Sequence, residues 1–315
     1  MPKIAFLFPG QASQYVGMGK DFYEKFPQAK EIYKKASEIL EYDLAKVSFE
    51  GPEDVLVQTK YTQPAIFVHS VLVWKFLEKE GIKPDFVAGH SLGEYSADVC
   101  ANVFNFEDGL KTVKSRSLFM QEAGEKNPGT MAAVLGLSEE QIYSVCQEAS
   151  LRGIVQPANF NSTEQVAISG EIEAVKKGVE LALEKGAKKA ILLPVGGAFH
   201  SPLMRSAQDK LAFVLEGIKI NPAEIPIISN VSAKPITDPV EIKNLLIEQI
   251  TKPVLWQQSM QFLYNSGVRD FVEVGPNKVL QGLLKRSYKD INLYGVDTVE
   301  DLEKFLKSVL VEELS

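Results

Sequence analysis

Residues Gly89-His90-Ser91-Leu92-Gly93 form a G-x-S-x-G pentapeptide. It follows a short apolar run, Asp85–Ala88, and opens a helical stretch, Leu92–Ala101. That is the strand–turn–helix setting of a nucleophile elbow. The flanking glycines remove Cβ atoms where the chain turns sharply and the helix must pass close to the strand. Ser91 would stand on the turn with its hydroxyl exposed, and the helix N-terminus behind it would favour developing negative charge. The bland alternative is a glycine-rich turn with a helix-capping serine.

A serine nucleophile needs a base, and the chain has three histidines. His69 sits in an apolar helical stretch and reads as a core residue. His90 adjoins the serine on the strand side, where neighbouring side chains diverge, and reads as support for the turn. His200 lies in Val195-Gly-Gly-Ala-Phe-His-Ser-Pro202, past a predicted strand and before a predicted helix. Loops at that end of an α/β sheet carry its sites, so His200 is the predicted base. No carboxylate stands out to orient it. Glu94 and Asp98 follow the serine on its helix and are expected to point elsewhere. Glu107 and Asp108 read as helix-start residues, and Asp238 and Glu273 fall near strands without distinction. A main-chain carbonyl accepting from Nδ1–H would fix the same tautomer.

Two further segments bear on the chemistry. Phe8-Pro-Gly-Gln-Ala-Ser-Gln14 follows the first strand and could set a backbone N–H beside that of Leu92 as an oxyanion hole. Arg116, in the mostly apolar stretch Lys114–Gln121, has two readings. It is salt-bridged or snorkelling, or it grips a substrate carboxylate through two parallel hydrogen bonds.

Other chemistries lack their residues. There is no G-x-x-x-x-G-K-[ST], no H-E-x-x-H and no C-x-x-C, and Gly17-Met-Gly19 leads to Phe22 where a dinucleotide fingerprint needs a small residue. Two cysteines, Cys100 and Cys146, make neither a disulfide framework nor a zinc site, so no metal is expected. With 34 basic and 41 acidic residues the net charge is −7, and an acidic chain without a basic tail argues against nucleic-acid binding. Lys176, Lys177, Lys185, Lys188 and Lys189 read as a solvated face. The longest apolar stretch, Ala65–Trp74, is about half a membrane span. The run Ile4–Phe8 is too short for a secretory h-region. Together with free thiols these features predict a cytoplasmic protein that does not enter membranes.

The elements that must position these groups alternate along the chain. Its 315 residues are 45% hydrophobic and 24% charged, an ordinary globular balance, and long enough for about two domains. Lys3–Phe8 and Asp85–Ala88 read as buried parallel strands separated by helices. From Met131 to Val195 the order becomes β-α-β-β-α-β, with Ser138-x-x-Gln141 as a capping box. The strand–helix rhythm then resumes, and an Asp297-x-x-Glu300 cap is predicted to open the last helix. The fold class is therefore α/β. Residues 1–125 and 197–315 form a large unit with a parallel sheet, and 126–196 a ferredoxin-like unit inserted into it.

Six segments, in order, resemble the malonyl-coenzyme A:acyl carrier protein transacylase family. They are Phe8–Gln11 with Ser13-Gln14, Gly89–Ser96, Arg116 with Phe119-Met-Gln121, Asn159–Asn161, Gly197–His200 and Glu273–Pro276. The resemblance implies an α/β-hydrolase-like large domain, no cofactor, and malonyl-coenzyme A and an acyl carrier protein as partners. It implies that Ser91 attacks the thioester, His200 moves the proton, the N–H groups of Gln11 and Leu92 hold the oxyanion, and Arg116 binds the malonyl carboxylate. It also implies that main-chain carbonyls near Gln249 orient the histidine, and that Met120 and Phe199 wall the acyl pocket. Lys188 and Lys189 are a candidate docking face for the carrier. A serine acylhydrolase, a discrete polyketide-type acyltransferase and a noncatalytic carrier-binding module are the competing readings.

Overall fold

The computed structural model describes residues 3–313. Its ten strands are β1 (Lys3–Phe8), β2 (Phe86–Gly89), β3 (Gly129–Leu135), β4 (Val155–Ser162), β5 (Gln165–Glu171), β6 (Lys189–Leu192), β7 (Ile227–Ile228), β8 (Pro235–Ile236), β9 (Val268–Val274) and β10 (Asn292–Val296). Along β1, Ala5 and Leu7 face one way and Phe6 and Phe8 the other, and all four are fully buried. A strand covered on both faces belongs inside a parallel sheet. Phe6 and Phe8 pack with Phe67, Leu72 and Tyr95, whereas Ala5 and Leu7 pack with Trp256, Met260 and Leu280.

The large sheet runs β10-β9-β1-β2-β7-β8, and every pairing is parallel except β7 with β8. The predicted α/β class with a parallel sheet holds. A second sheet, β4-β5-β3-β6, is antiparallel throughout. Helices Glu139–Ala149 and Ile172–Glu184 interrupt its strands in the predicted order, and the Ser138–Gln141 capping box is present. Val254, in the loop before helix Trp256–Asn265, makes an isolated bridge to β4: its N–H donates to Ala158 O at 2.9 Å and its carbonyl accepts from Phe160 N at 2.9 Å. Among the described residues no helix is long and apolar enough to cross a membrane. Cys100 and Cys146 are buried and unpaired. Lys176, Lys177, Lys185 and Lys188 each meet a carboxylate at the surface, contacts worth about 1 kcal/mol or less each.

Three expectations at element boundaries change. β6 stops at Leu192 rather than Val195, and the helix expected from Pro202 opens as a 3₁₀ turn, Pro202–Met204, before Arg205–Glu216. The cap of the last helix is Thr298, not Asp297. Thr298 Oγ1 accepts from Asp301 N at 3.1 Å, and the Asp301 carboxylate accepts from Thr298 N at 3.3 Å. Asp297 has a competing use. Its carboxylate meets His69 Nε2 at 2.8 Å and accepts from Tyr15 O–H at 3.0 Å and Asn277 N at 2.9 Å. His69 is thus a core residue, as the sequence suggests, held through its Nε2. Asp297→Ala orphans a buried imidazole and a phenol, so it should lower the unfolding free energy by about 1–3 kcal/mol per group. Thr298→Ala should cost about 1 kcal/mol, the worth of a cap. Urea unfolding of both variants checks the order, and a smaller loss for Asp297→Ala would contradict it.

Candidate active site

β1, β2 and β7 are neighbours in the sheet, and their carboxyl ends lead to Gln11, to Ser91 and to Asn230, while Arg116, His200 and Gln249 reach in from other segments. At the end of β2 the chain turns through Ser91 at φ 52°, a left-handed conformation costly for a residue with a Cβ. The elbow closes because Gly89 and Gly93 are bare. A Cβ on Gly89 would lie 1.9 Å from Gly93 C, and one on Gly93 would lie 2.0 Å from Phe8 O. His200 also has positive φ, 56°. Such strain concentrates at functional sites held by surrounding contacts.

Ser91 Oγ lies 2.8 Å from His200 Nε2, and His200 Nδ1 lies 2.7 Å from Gln249 O. A carbonyl can only accept, so Nδ1 carries the hydrogen and the Nε2 lone pair faces the serine hydroxyl. The predicted carbonyl orientation is therefore present. On its other side His200 is held through its own carbonyl, which accepts from Gln156 Nε2 at 2.8 Å. Burial, and then the charge of Arg116, push the His200 imidazolium down to about 3. The ring is neutral at neutral pH and free to take a proton.

Arg116 is buried to 1% exposure. Its Nη1 donates to Gln63 Oε1 at 2.7 Å, and its Nη2 donates to Ser91 Oγ at 3.0 Å and Gln249 Oε1 at 2.9 Å. The guanidinium carbon stands 5.3 Å from the centre of the Tyr95 ring. The salt-bridged and snorkelling readings fail, because the partners are neutral and the side chain is enclosed. The Arg116 Nε–H is buried with no hydrogen-bond partner in the protein, and the side chain lines the cavity.

Gln249 does more than offer a carbonyl. Its Nε2 donates to Ser91 O at 2.9 Å and to Glu94 Oε2 at 2.5 Å. Glu94 corrects an expectation: it turns under the elbow, where Gln249 and Asn230 donate to it, rather than away. Its other oxygen accepts from Asn230 N at 3.1 Å. Burial raises Glu94 to about 7, against the hydrogen bonds from Gln249 and Asn230 and the Arg116 charge. Neither Glu94 nor Asp98 touches His200. Asp98 is fully buried with both carboxylate oxygens unpartnered, and burial holds its carboxyl well above the usual range. Glu273, undistinguished in the sequence, accepts from Leu280 N and Gln281 N at 3.0 Å each and so caps helix Val279–Ser287. His90 supports the turn as predicted, with Nε2 at 2.8 Å from Asn161 Oδ1.

The backbone N–H of Ser91 donates to Asn230 Oδ1 at 2.7 Å. Among the described residues no group accepts from the N–H of Gln11 or Leu92, and both residues line the cavity. That cavity holds about 270 Å³ and opens on Ser91, His200 and Arg116. Met120 and Phe199 line it, together with the apolar side chains of Leu193, Val195, Leu280 and Leu283.

An acyl transferase domain model matches residues 5–306. A Bacillus subtilis malonyl CoA-acyl carrier protein transacylase is 44% identical over 313 residues, covering 99% of each chain. The solved malonyl CoA-acyl carrier protein transacylase of Coxiella burnetii superposes with a TM-score of 0.94 at 39% identity, covering 98% of each chain. A malonyl-transacylase solved in complex with a type II polyketide acyl-carrier protein also gives 0.94, at 39% identity over 97% of this chain and 99% of that one. This chain belongs to the malonyl CoA-acyl carrier protein transacylase family.

In this transacylase family member the structure brings Ser91, His200, Gln11, Leu92, Arg116, Met120 and Phe199 around one cavity, with Gln249 buried behind His200 and Arg116. Sequence reasoning missed Gln63, Asn230 and the Gln249 side chain. Gln63 carried a signal, as a glutamine inside the apolar helix Thr59–Lys79. Asn230 sits two residues beyond the end of β7, the same kind of strand-end position that pointed to His200.

Two measurements test the network. Histidine-selective ¹⁵N NMR should show His200 as the neutral Nδ1–H tautomer at pH 5, and protonation near 6.5 would contradict the burial argument. The folded pKa lies below the unfolded value of about 6.5. Stability from this group is therefore present above pH 6.5 and lost as pH falls toward about 3. Glu94 acts the other way: its contribution is full below the ordinary carboxylate range and lost as pH rises through about 7. Gln249→Leu, which strips Arg116 and Glu94 of partners, should lower the unfolding free energy by about 1.5–3 kcal/mol, measured by urea unfolding at pH 7.

Proposed function

We propose that this enzyme transfers a malonyl group from malonyl-coenzyme A to the phosphopantetheine thiol of an acyl carrier protein, through a malonyl ester on Ser91, in fatty acid synthesis. The observation that carries this reading is Arg116, a buried cation whose Nη2 lies 3.0 Å from Ser91 Oγ at the mostly apolar cavity. A hydrolase of neutral acyl groups has no use for a buried cation beside its nucleophile. An acyl group ending in a carboxylate does.

The steps follow from the contacts. Ser91 Oγ attacks the thioester carbonyl as its proton passes to His200 Nε2. The carbonyl oxygen takes the negative charge between the N–H groups of Gln11 and Leu92. The C–S bond breaks, and the imidazolium returns the proton to the departing coenzyme thiolate. The carrier thiol then enters, gives its proton to His200, and attacks the ester; Ser91 recovers the proton as it leaves. A thioester is exchanged for a thioester, so the cycle is reversible and ping-pong. The apolar walls, Phe199 and Met120 among them, keep water from the ester.

The same reading treats 1–125 and 197–315 as an α/β-hydrolase-like catalytic unit and 126–196 as a ferredoxin-like insertion, working in the cytoplasm. The β-α-β-β-α-β order and the antiparallel β4-β5-β3-β6 sheet support the second assignment.

Intact-mass and peptide spectra after mixing with malonyl-coenzyme A should place one adduct on Ser91, discharged by holo carrier protein. Label on another residue, or release of free acid without transfer, would refute the ester. Arg116→Ala should lose malonyl loading by about 10²-fold or more while acetyl loading falls less or rises, since only the malonyl group loses a buried charge contact. Equal losses for both donors would count against the carboxylate contact.

A further inference from the structure

We infer that Asn230 is a positioning residue that holds Ser91 in its attack conformation by prolonging a parallel ladder with a side-chain amide. The inference rests on the Ser91 ester proposed above. β7 is only two residues long and pairs Val87 with Ile227 and Ala88 with Ile228. Beyond Ala88 the β2 chain swings into the elbow, and a neighbouring backbone cannot follow it through φ 52° at Ser91.

Asn230 takes over there. Its Nδ2 donates to Gly89 O at 2.6 Å, and its Oδ1 accepts from Ser91 N at 2.7 Å. In a parallel ladder a residue donates to the carbonyl before its partner and accepts from the N–H after it. The Asn230 amide makes that pair of bonds around His90. It cannot flip, because Gly89 O only accepts and Ser91 N–H only donates. The residue is anchored from behind. Its own N–H donates to Glu94 Oε1 at 3.1 Å, its carbonyl accepts from Leu255 N at 2.8 Å, and it is 1% exposed.

Two consequences follow for the reaction. The elbow is tied on both sides of His90, which sustains the strained φ and the 2.8 Å approach of Ser91 Oγ to His200. The Ser91 N–H is also consumed, so it does not compete for the oxyanion, and Gln11 and Leu92 are the donors left. Asparagine suits the place through its two-headed amide. Aspartate could accept from Ser91 N but not donate to Gly89 O, and it would set a second carboxylate against Glu94.

The test uses the full-length enzyme with Asn230→Ala and the isosteric Asn230→Asp. Steady-state kinetics with malonyl-coenzyme A and holo carrier protein are paired with the rate of Ser91 labelling by a small fluorophosphonate, which needs neither coenzyme nor carrier. Both variants should lose on the order of 10²-fold in kcat and in labelling rate, the scale of a displaced reacting atom. KM for either substrate should change little, and the pH profile should keep its shape because the His200–Gln249 bond is untouched. Wild-type labelling rate in a folded variant, full activity in Asn230→Asp, or a loss carried by KM would overturn the role. So would failure of both variants to fold by circular dichroism, which would make Asn230 a folding determinant instead. If the wild-type probe labels a residue other than Ser91, the ester reading falls; if it labels Ser91 equally in all three proteins, only the Asn230 inference does.

Discussion

A guanidinium taken out of water needs an acceptor for its donors, and much of the site answers that need for Arg116. Gln63 reaches it from one helix, Gln249 from the end of another, and Ser91 from the elbow. All three partners are neutral. A carboxylate partner from the protein would have formed a closed ion pair and left nothing to attract an anionic substrate. Neutral acceptors hold the charge in place without cancelling it, so its field reaches both the nucleophile and the base.

Gln249 is the member on which both halves of the site converge. Its carbonyl settles the His200 tautomer, while its amide spans Arg116, Ser91 O and Glu94. The oxygen of that amide faces the guanidinium and the nitrogen faces two acceptors, so its orientation is determined. Base, cation and elbow thus share one residue at the C-terminal end of the helix Pro239–Gln249. No Ser-His-Asp geometry is needed, because the work of an orienting carboxylate is done by a backbone carbonyl with no charge of its own.

The legible parts of this molecule were those with local physical signatures. β1 and the elbow announce themselves through an unbroken apolar run and through glycines where Cβ atoms cannot fit. His200 emerged by elimination among three histidines. The capping box at Ser138 was readable because its partner lies three residues away, whereas the Asp297 cap misread a residue claimed by His69, Tyr15 and Asn277 from distant segments. The same limit hid Asn230, Gln63 and the inward turn of Glu94. Gln63 lies 53 residues from Arg116, and Asn230 lies 136 and 141 residues from its partners Glu94 and Gly89. Long-range hydrogen bonds leave no periodicity to read. The roles of Gln249, Gln11 and Phe199 were reached through family resemblance, and spacing alone would not have supplied them.

The low proton affinity of His200 comes first from burial, then from the nearby charge of Arg116, with His90 behind them. Burial belongs to the fold, whereas the Arg116 charge is open to change by a bound anion. On the proposed reading, a malonyl carboxylate seated on Arg116 neutralises the repulsion felt by the imidazole. The ring then becomes a stronger base at the moment a correct acyl group is in place. An acetyl group leaves the cation exposed to the ring and the base weak. Discrimination between donors would therefore be written into the proton transfer itself, as a self-arming of the catalyst by its own substrate, in addition to any difference in how tightly the two donors bind.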